Sequence, residues 1–184
     1  VLFRSPHVKV AGDSHREHPA AWIPGLIDSL VRFTSHELHV LTYSDLVDRD
    51  QYVQIDHVHY YILKRPRMKY RLASFFMIDS MKFGTHLRTI KPDLVHGHGT
   101  DSTYAYVAAR CSFPYIITIQ GILSQILPTY EHRGNMVDRA VNRLLLRFEE
   151  KTIRSGRSFI ANTSFVEDLI KRSNPRANIY TIEN

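Results

Sequence analysis

The chain reads as an α/β protein: a doubly wound, mainly parallel sheet of about seven strands with helices on both faces. Three observations predict it. Short apolar runs alternate with segments of helical period along the whole chain. The stretch Pro92 to Gly121, PDLVHGHGTDSTYAYVAARCSFPYIITIQG, holds one complete strand, helix, strand unit with its polar groups gathered at one end. At 184 residues and 43% hydrophobic, the chain can bury a full core, so residues 1–184 are expected to form a single domain.

Taken in order, the expected strands are His7 to Ala11, Glu37 to Tyr43, His57 to Leu63, Asp93 to His98, Tyr115 to Gln120, Ser158 to Asn162 and Asn178 to Ile182. Between them, apolar residues three and four apart predict helices over Pro24 to Phe33, Tyr70 to Ile90, Thr100 to Cys111 and Met136 to Ile153. A last helix opens at Ser164, where Glu167 completes a capping box. Ser44 to Gln51 and Lys64 to Lys69 break the pattern and read as surface connections. In such a sheet, ligands meet the carboxyl ends of the strands, so His98, Gly99, Gln120 and Gly121 are expected on one rim.

Composition excludes several classes. Disorder and collagen are ruled out by the apolar content. The lone Cys111 allows no internal disulfide and points to a reducing, cytoplasmic compartment; on a core-facing helix it reads as a small apolar residue. No apolar run approaches the ~20 residues needed to cross a bilayer. The chain does not open on methionine and stops directly after a strand-like run, so it is expected to be a piece of a longer protein, with Val1 to Ser5 foreign to it.

The ordered set KPDLVHGHG, a helix, PYIITIQG, a long helix ending RFEEKTIRSG, then RSFIANTSFVEDLIKR and NIYTIEN resembles the N-terminal half of GT-B glycosyltransferases, closest to retaining family four. That resemblance implies one Rossmann-like half of a two-domain enzyme. This half would hold a sugar or lipid-linked acceptor, and a C-terminal domain, absent from this chain, would hold the nucleotide sugar. It further implies His98 and Gln120 as catalytic positions, and Gly12, Gly99 and Gly121 as backbone contacts for the donor. The nucleotide sugar would be a substrate, with no resident cofactor and no metal. Two positions depart from the family pattern: only Gly12 stands where a glycine-rich turn is usual, in GDSHREHPAAW, and Gln120 stands where a histidine is common.

The histidines support a metal site poorly. His96 and His98 share a strand face, as do His57 and His59, but no Cys, Asp or Glu falls at matching spacing along the chain. His15, His18, Asp13 and Ser14 read as solvated or turn-capping loop residues.

The net charge of +6 is concentrated in two places. Lys64, Arg65, Arg67, Lys69 and Arg71 precede an amphipathic segment with Phe75, Phe76, Met77 and Met81, and Arg139, Arg143, Arg147 and Lys151 recur every fourth residue. Such basic faces suit an anionic membrane surface, here the inner face of the membrane. Nucleic acid is not expected, because no stacking platform or nucleic-acid motif accompanies the charge. Two functions therefore stand: the acceptor half of a glycosyltransferase, or a non-catalytic Rossmann-like module engaging an anionic partner.

Overall fold

The computed structural model describes residues 2–4, 22–100, 102–119, 121–127 and 136–182. The expected strand His7 to Ala11 lies outside them. Contacts gather the elements into two units, Phe3–Arg65 and, together with Leu2, Pro66–Asn184.

The first unit holds α1 (Trp22–Phe33), β2 (Leu38–Ser44), β3 (Gln51–Ile55) and β4 (Val58–Lys64). Ile23, Ile27, Leu30 and Val31 recur at helical spacing on α1, and they pack with Leu38, Val40 and Val58 from β2 and β4. β2 and β4 run parallel, from Leu38 opposite Val58 to Ser44 opposite Lys64. β3 joins β4 as an antiparallel hairpin, so this sheet is mixed. Gln51–Ile55 is not among the expected strands, and all five of its residues are exposed, so no buried apolar run marks it. His57, expected on the strand, falls in the hairpin turn beside Asp56, whose φ of 52° is left-handed. Asp enters that region at lower cost than most side chains.

The second unit follows the strand, helix alternation. It contains α2 (Met68–Ala73), α3 (Met77–Ile90), β5 (Val95–His98), α4 (Tyr104–Arg110), β6 (Tyr115–Ile119), α5 (Leu123–Ile126), α6 (Met136–Ser155), β7 (Ser158–Ala161), α7 (Ser164–Ser173) and β8 (Asn178–Thr181). Strands β5 to β8 pair in chain order, all parallel. Near the amino terminus lies β1 (Leu2–Arg4), with Leu2 opposite Gly97 in parallel register. The α/β class and the mainly parallel sheet hold as expected: β1 and β5 to β8 pair in parallel here, β2 pairs in parallel with β4, and only β3 against β4 runs antiparallel. Ile117, Ile119, Phe159, Ala161, Ile153, Val166 and Ile170 form one core across β6, β7, α6 and α7. Full burial of each large apolar side chain contributes about 1.5–3 kcal/mol, so this cluster anchors the sheet that carries the rim.

Two local expectations change. The single helix foreseen over Tyr70 to Ile90 is two helices, α2 and α3, because Phe75 and Phe76 take left-handed φ values of 48° and 56°. The break is held from inside. Phe76 is buried beneath the Arg71 guanidinium, 4.7 Å from its ring centre, and Arg71 in turn donates from Nη2 to Oδ2 of fully buried Asp79 at 2.7 Å. Thr103, entering α4, donates to the same carboxylate oxygen at 2.9 Å, so both charges are paired and hydrogen-bonded. The cap of α7 is Thr163, one residue earlier than expected; its side chain accepts from Val166 N at 3.3 Å. Glu167 reaches not back to the cap but to Lys171 and Thr181.

Candidate functional site

The rim begins where β5 cannot continue. Gly97 lets α4 lie against the strand, since a Cβ there would meet Ala108 Cβ at 2.8 Å. Gly99 then turns the chain with a φ of 77°, which L side chains rarely adopt, while its amide still donates to Thr118 O at 2.9 Å. Thr100 follows, buried, and β6 leaves the sheet next door through Gly121 and Ile122 into the short α5.

One side chain from a third element gathers these two exits. Glu149 on α6 is 3% exposed, and each of its oxygens is engaged. Oε1 accepts from Thr100 Oγ1 at 2.5 Å and from the Leu123 amide at 2.7 Å, and Oε2 accepts from the Ser124 amide at 2.9 Å. The Leu123 and Ser124 amides belong to the first turn of α5 and have no partners inside that helix, so a carboxylate there satisfies them and opposes the helix dipole. Thr100 Oγ1 also lies 3.3 Å from Gly121 O, closing the link from the β5 exit to the β6 exit. Glu149 is thus the internal fastener of the rim.

The other expected site residues fall unevenly. Gly99 and Gly121 are at the strand exits as anticipated, whereas Gly12, Gln120, His15 and His18 lie outside the described residues. His98, expected on the rim, is 3% exposed, and its ring lies 3.8 Å from that of His96. Burial, then the neighbouring His96, lowers its pKa to about 2. His96 is lowered by burial to about 4, and its Nε2 lies 2.7 Å from Thr118 Oγ1. Both imidazoles are therefore neutral at physiological pH, and His98 cannot serve there as a proton donor from an imidazolium. Cys111 is half-buried, with its thiol pKa raised by burial, which fits the apolar role expected of it. His59 does not gather with His57; its neighbours are His39 and Glu37, across the strands.

The basic residues are also sorted. Arg71 is withdrawn from the surface by Asp79, and Arg65 pairs with Asp45 at 3.0 Å. Arg67, Lys69 and the stripe Arg139, Arg143, Arg147 and Lys151 remain exposed, as do Phe75, Met77 and Met81, while Phe76 is buried. A cavity lined by Arg110, Tyr115, Lys151, Arg157 and Ser158 opens at the opposite, amino ends of β6 and β7, away from the rim. No helix among the described residues is long and apolar enough to cross a membrane.

Comparison with known proteins agrees with this architecture. A sequence profile described as Glycosyltransferase Family 4 matches residues 25–184. Sucrose-phosphate synthase from Thermosynechococcus elongatus is similar in structure, with a TM-score of 0.59 over 89% of this chain and 84% of that one, at 11% identity. At that identity the likeness speaks for the fold. No curated protein matches the chain.

Two outcomes are expected. Glu149→Gln offers one carbonyl oxygen and an N–H₂ group to three donors, so at least one donor meets another donor; stability should fall by about 1–3 kcal/mol. Hydrogen exchange should show the Leu123 and Ser124 amides losing protection, and unchanged protection would remove Glu149 from its role. For the histidine pair, folded pKa values near 4 and 2 lie below the ordinary 6.5, so their contribution is complete above pH 6.5. As pH falls from there, the unfolded chain takes protons that the folded chain refuses. Stability should then decline by up to about 2.7 kcal/mol per pH unit between roughly pH 6 and pH 4, two protons at about 1.36 each. Urea midpoints across pH for wild type and a His96→Gln/His98→Asn variant measure this: the variant should lose most of that slope whatever its stability at pH 7.

Proposed function

The chain belongs to glycosyltransferase family 4, and we propose that it is the acceptor-binding half of an enzyme that moves a sugar from a nucleotide-sugar donor to a polysaccharide or lipid-linked acceptor. The observation that carries this reading is the rim fixed by Glu149, where Gly99 and Gly121 bring backbone close to whatever lies beyond β5 and β6. Rigid exits with little side-chain bulk suit a group that must hold a hydroxyl and a sugar in one orientation, and orientation is a large part of the barrier in such transfers. Gln120, between β6 and Gly121, offers an amide that can donate to or accept from a sugar hydroxyl. His98, buried and neutral, would act at this rim as an uncharged group and not as an imidazolium acid.

In this reading the donor phosphates are met chiefly by a second domain of the parent chain. The transfer then depends on positioning and electrostatic stabilisation without a protein nucleophile or a metal at the reacting centre. The acceptor class favours a membrane face. Exposed Phe75, Met77 and Met81 accompany exposed Arg67 and Lys69, and the α6 stripe adds four more cations. We place the protein in the cytoplasm, docking to the inner leaflet.

Turnover and docking are tested separately. Incubated alone with a panel of nucleotide sugars and a lipid-linked acceptor, the chain should release no nucleotide above buffer; joined to the domain that follows it in its parent, it should transfer sugar. Turnover by the chain alone would place donor recognition here, and inactivity of the joined protein would favour a non-catalytic module. On vesicles, wild type should sediment with anionic lipid, ignore neutral lipid and release as salt rises. Reversing Arg139, Arg143, Arg147 and Lys151 should cut binding steeply, since each basic residue contributes about 1 kcal/mol at an anionic surface. Equal sedimentation of variant and wild type would reduce the stripe to a solubility feature.

A further inference from the structure

His39 on β2 and His59 on β4 are direct cross-strand partners in the parallel pair of the first unit. Their rings stack with centres 4.5 Å apart and planes 13° apart. Glu37, just before β2, completes the group. Its Oε1 lies 3.0 Å from His39 Nε2 and 3.2 Å from His59 Nε2, and one potential ligand atom from each residue lies within 4.8 Å of the others. We propose that Glu37, His39 and His59 form a binding site for a first-row divalent transition metal, zinc above all.

The distances fit the chemistry. With bonds of about 2.0–2.1 Å at the tetrahedral angle, neighbouring zinc ligands stand about 3.3 Å apart, close to the two separations between Glu37 and the imidazoles. The nearly parallel rings need a modest rotation for both Nε2 lone pairs to converge on one ion. The second nitrogen of each ring is already provided for: Tyr52 OH lies 2.8 Å from His59 Nδ1, and Tyr61 OH lies 3.4 Å from His39 Nδ1. A phenol hydroxyl can donate or accept. Without metal, each Nε2–H donates to the carboxylate while the phenol donates to Nδ1. With metal, the proton moves to Nδ1 and donates to the phenol oxygen, leaving Nε2 free to ligate. Orientation of the distal nitrogen by an outer partner is what metal-binding histidines usually have.

Selectivity follows from the donor set. Two imidazoles and one carboxylate suit zinc, cobalt, nickel or copper and match magnesium and calcium poorly. The imidazoles are 21% and 16% exposed and Glu37 is 67% exposed, so an ion can enter from solvent and keep water in a fourth position. Because the site joins β2, β4 and the segment before them, an ion bound there would hold the first unit together in a way the folded chain alone does not. Sugar transfer is not assigned to it.

The test uses the whole 184-residue chain, stripped with chelator and titrated with cobalt chloride, then zinc chloride, at pH 7.5. Cobalt should bind one ion per chain with the visible absorption of a low-coordinate site. Zinc should displace it, a large excess of magnesium should not, and zinc should raise the melting temperature. Glu37→Gln, at an exposed position that the fold does not need, and His59→Gln should each weaken binding at least tenfold and abolish the thermal shift; Tyr52→Phe should weaken it less. His57→Gln, an exposed histidine two residues from the site, should bind as wild type does. Binding that is equal in wild type, Glu37→Gln and His59→Gln overturns the proposal and assigns the metal to other histidines. Absence of cobalt absorption and of any zinc-induced thermal shift in wild type overturns it as well. Should His59→Gln fail to fold by circular dichroism, Glu37→Gln decides alone.

Discussion

The carboxylate of Glu149 is the interaction on which the candidate site depends. Three donors reach it: a hydroxyl from the β5 exit and two amides from the first turn of α5. Without them, Glu149 would be a buried anion with no compensation, and the Leu123 amide would be a buried donor with no acceptor. Together they remove both penalties. The consequence is geometric, since one side chain of α6 ties the β5 exit to the first turn of α5. A rim built from short loops and glycines would otherwise be among the more mobile parts of an α/β unit.

The buried pair of Arg71 and Asp79 does comparable work at the α2 to α3 break. Two consecutive phenylalanines in left-handed conformation are unfavourable by themselves, because L side chains with a Cβ crowd the backbone there. Phe76 recovers the cost by burial under the Arg71 guanidinium, and Asp79 keeps that guanidinium in place. Phe75, its neighbour, is turned out to solvent at 69% exposure. The break thus sends one aromatic inward and the other outward.

Strands and helices were legible wherever an apolar run or stripe marks them: β2, β4 to β8, α1, α6 and α7 lie within a few residues of expectation, and in all of these but the largely exposed β8 burial selects the same residues that the pattern reveals. What escaped was polar and long-range. Gln51–Ile55 is a strand with no buried residue to announce it. Glu149 meets partners 25 to 49 residues away, a separation that no local pattern records. A signal was nevertheless present. Glu149 stands four residues after Leu145 and four before Ile153, and Asp79 stands between Phe76 and Phe83, so each is an acid on an apolar stripe. Such a residue must find buried donors, and both did. The cluster of Glu37, His39 and His59 leaves no mark in chain spacing for a related reason: register across parallel strands brings its histidines together.

That unannounced strand has a consequence for how copies of the protein meet. Pairing engages β3 with β4, and among the described residues no strand covers its other side. Its outward-facing peptide groups can therefore template another chain. Gln51, Tyr52, Val53, Gln54 and Ile55 include no lysine, no proline and no charge, so the usual guards against zippering are missing from the strand itself. Asp50 and Asp56 stand as sentries at its two ends. Two such edges approaching antiparallel would bring aspartate against aspartate at both corners, and that repulsion, with the strand's length of five residues, opposes edge-to-edge pairing.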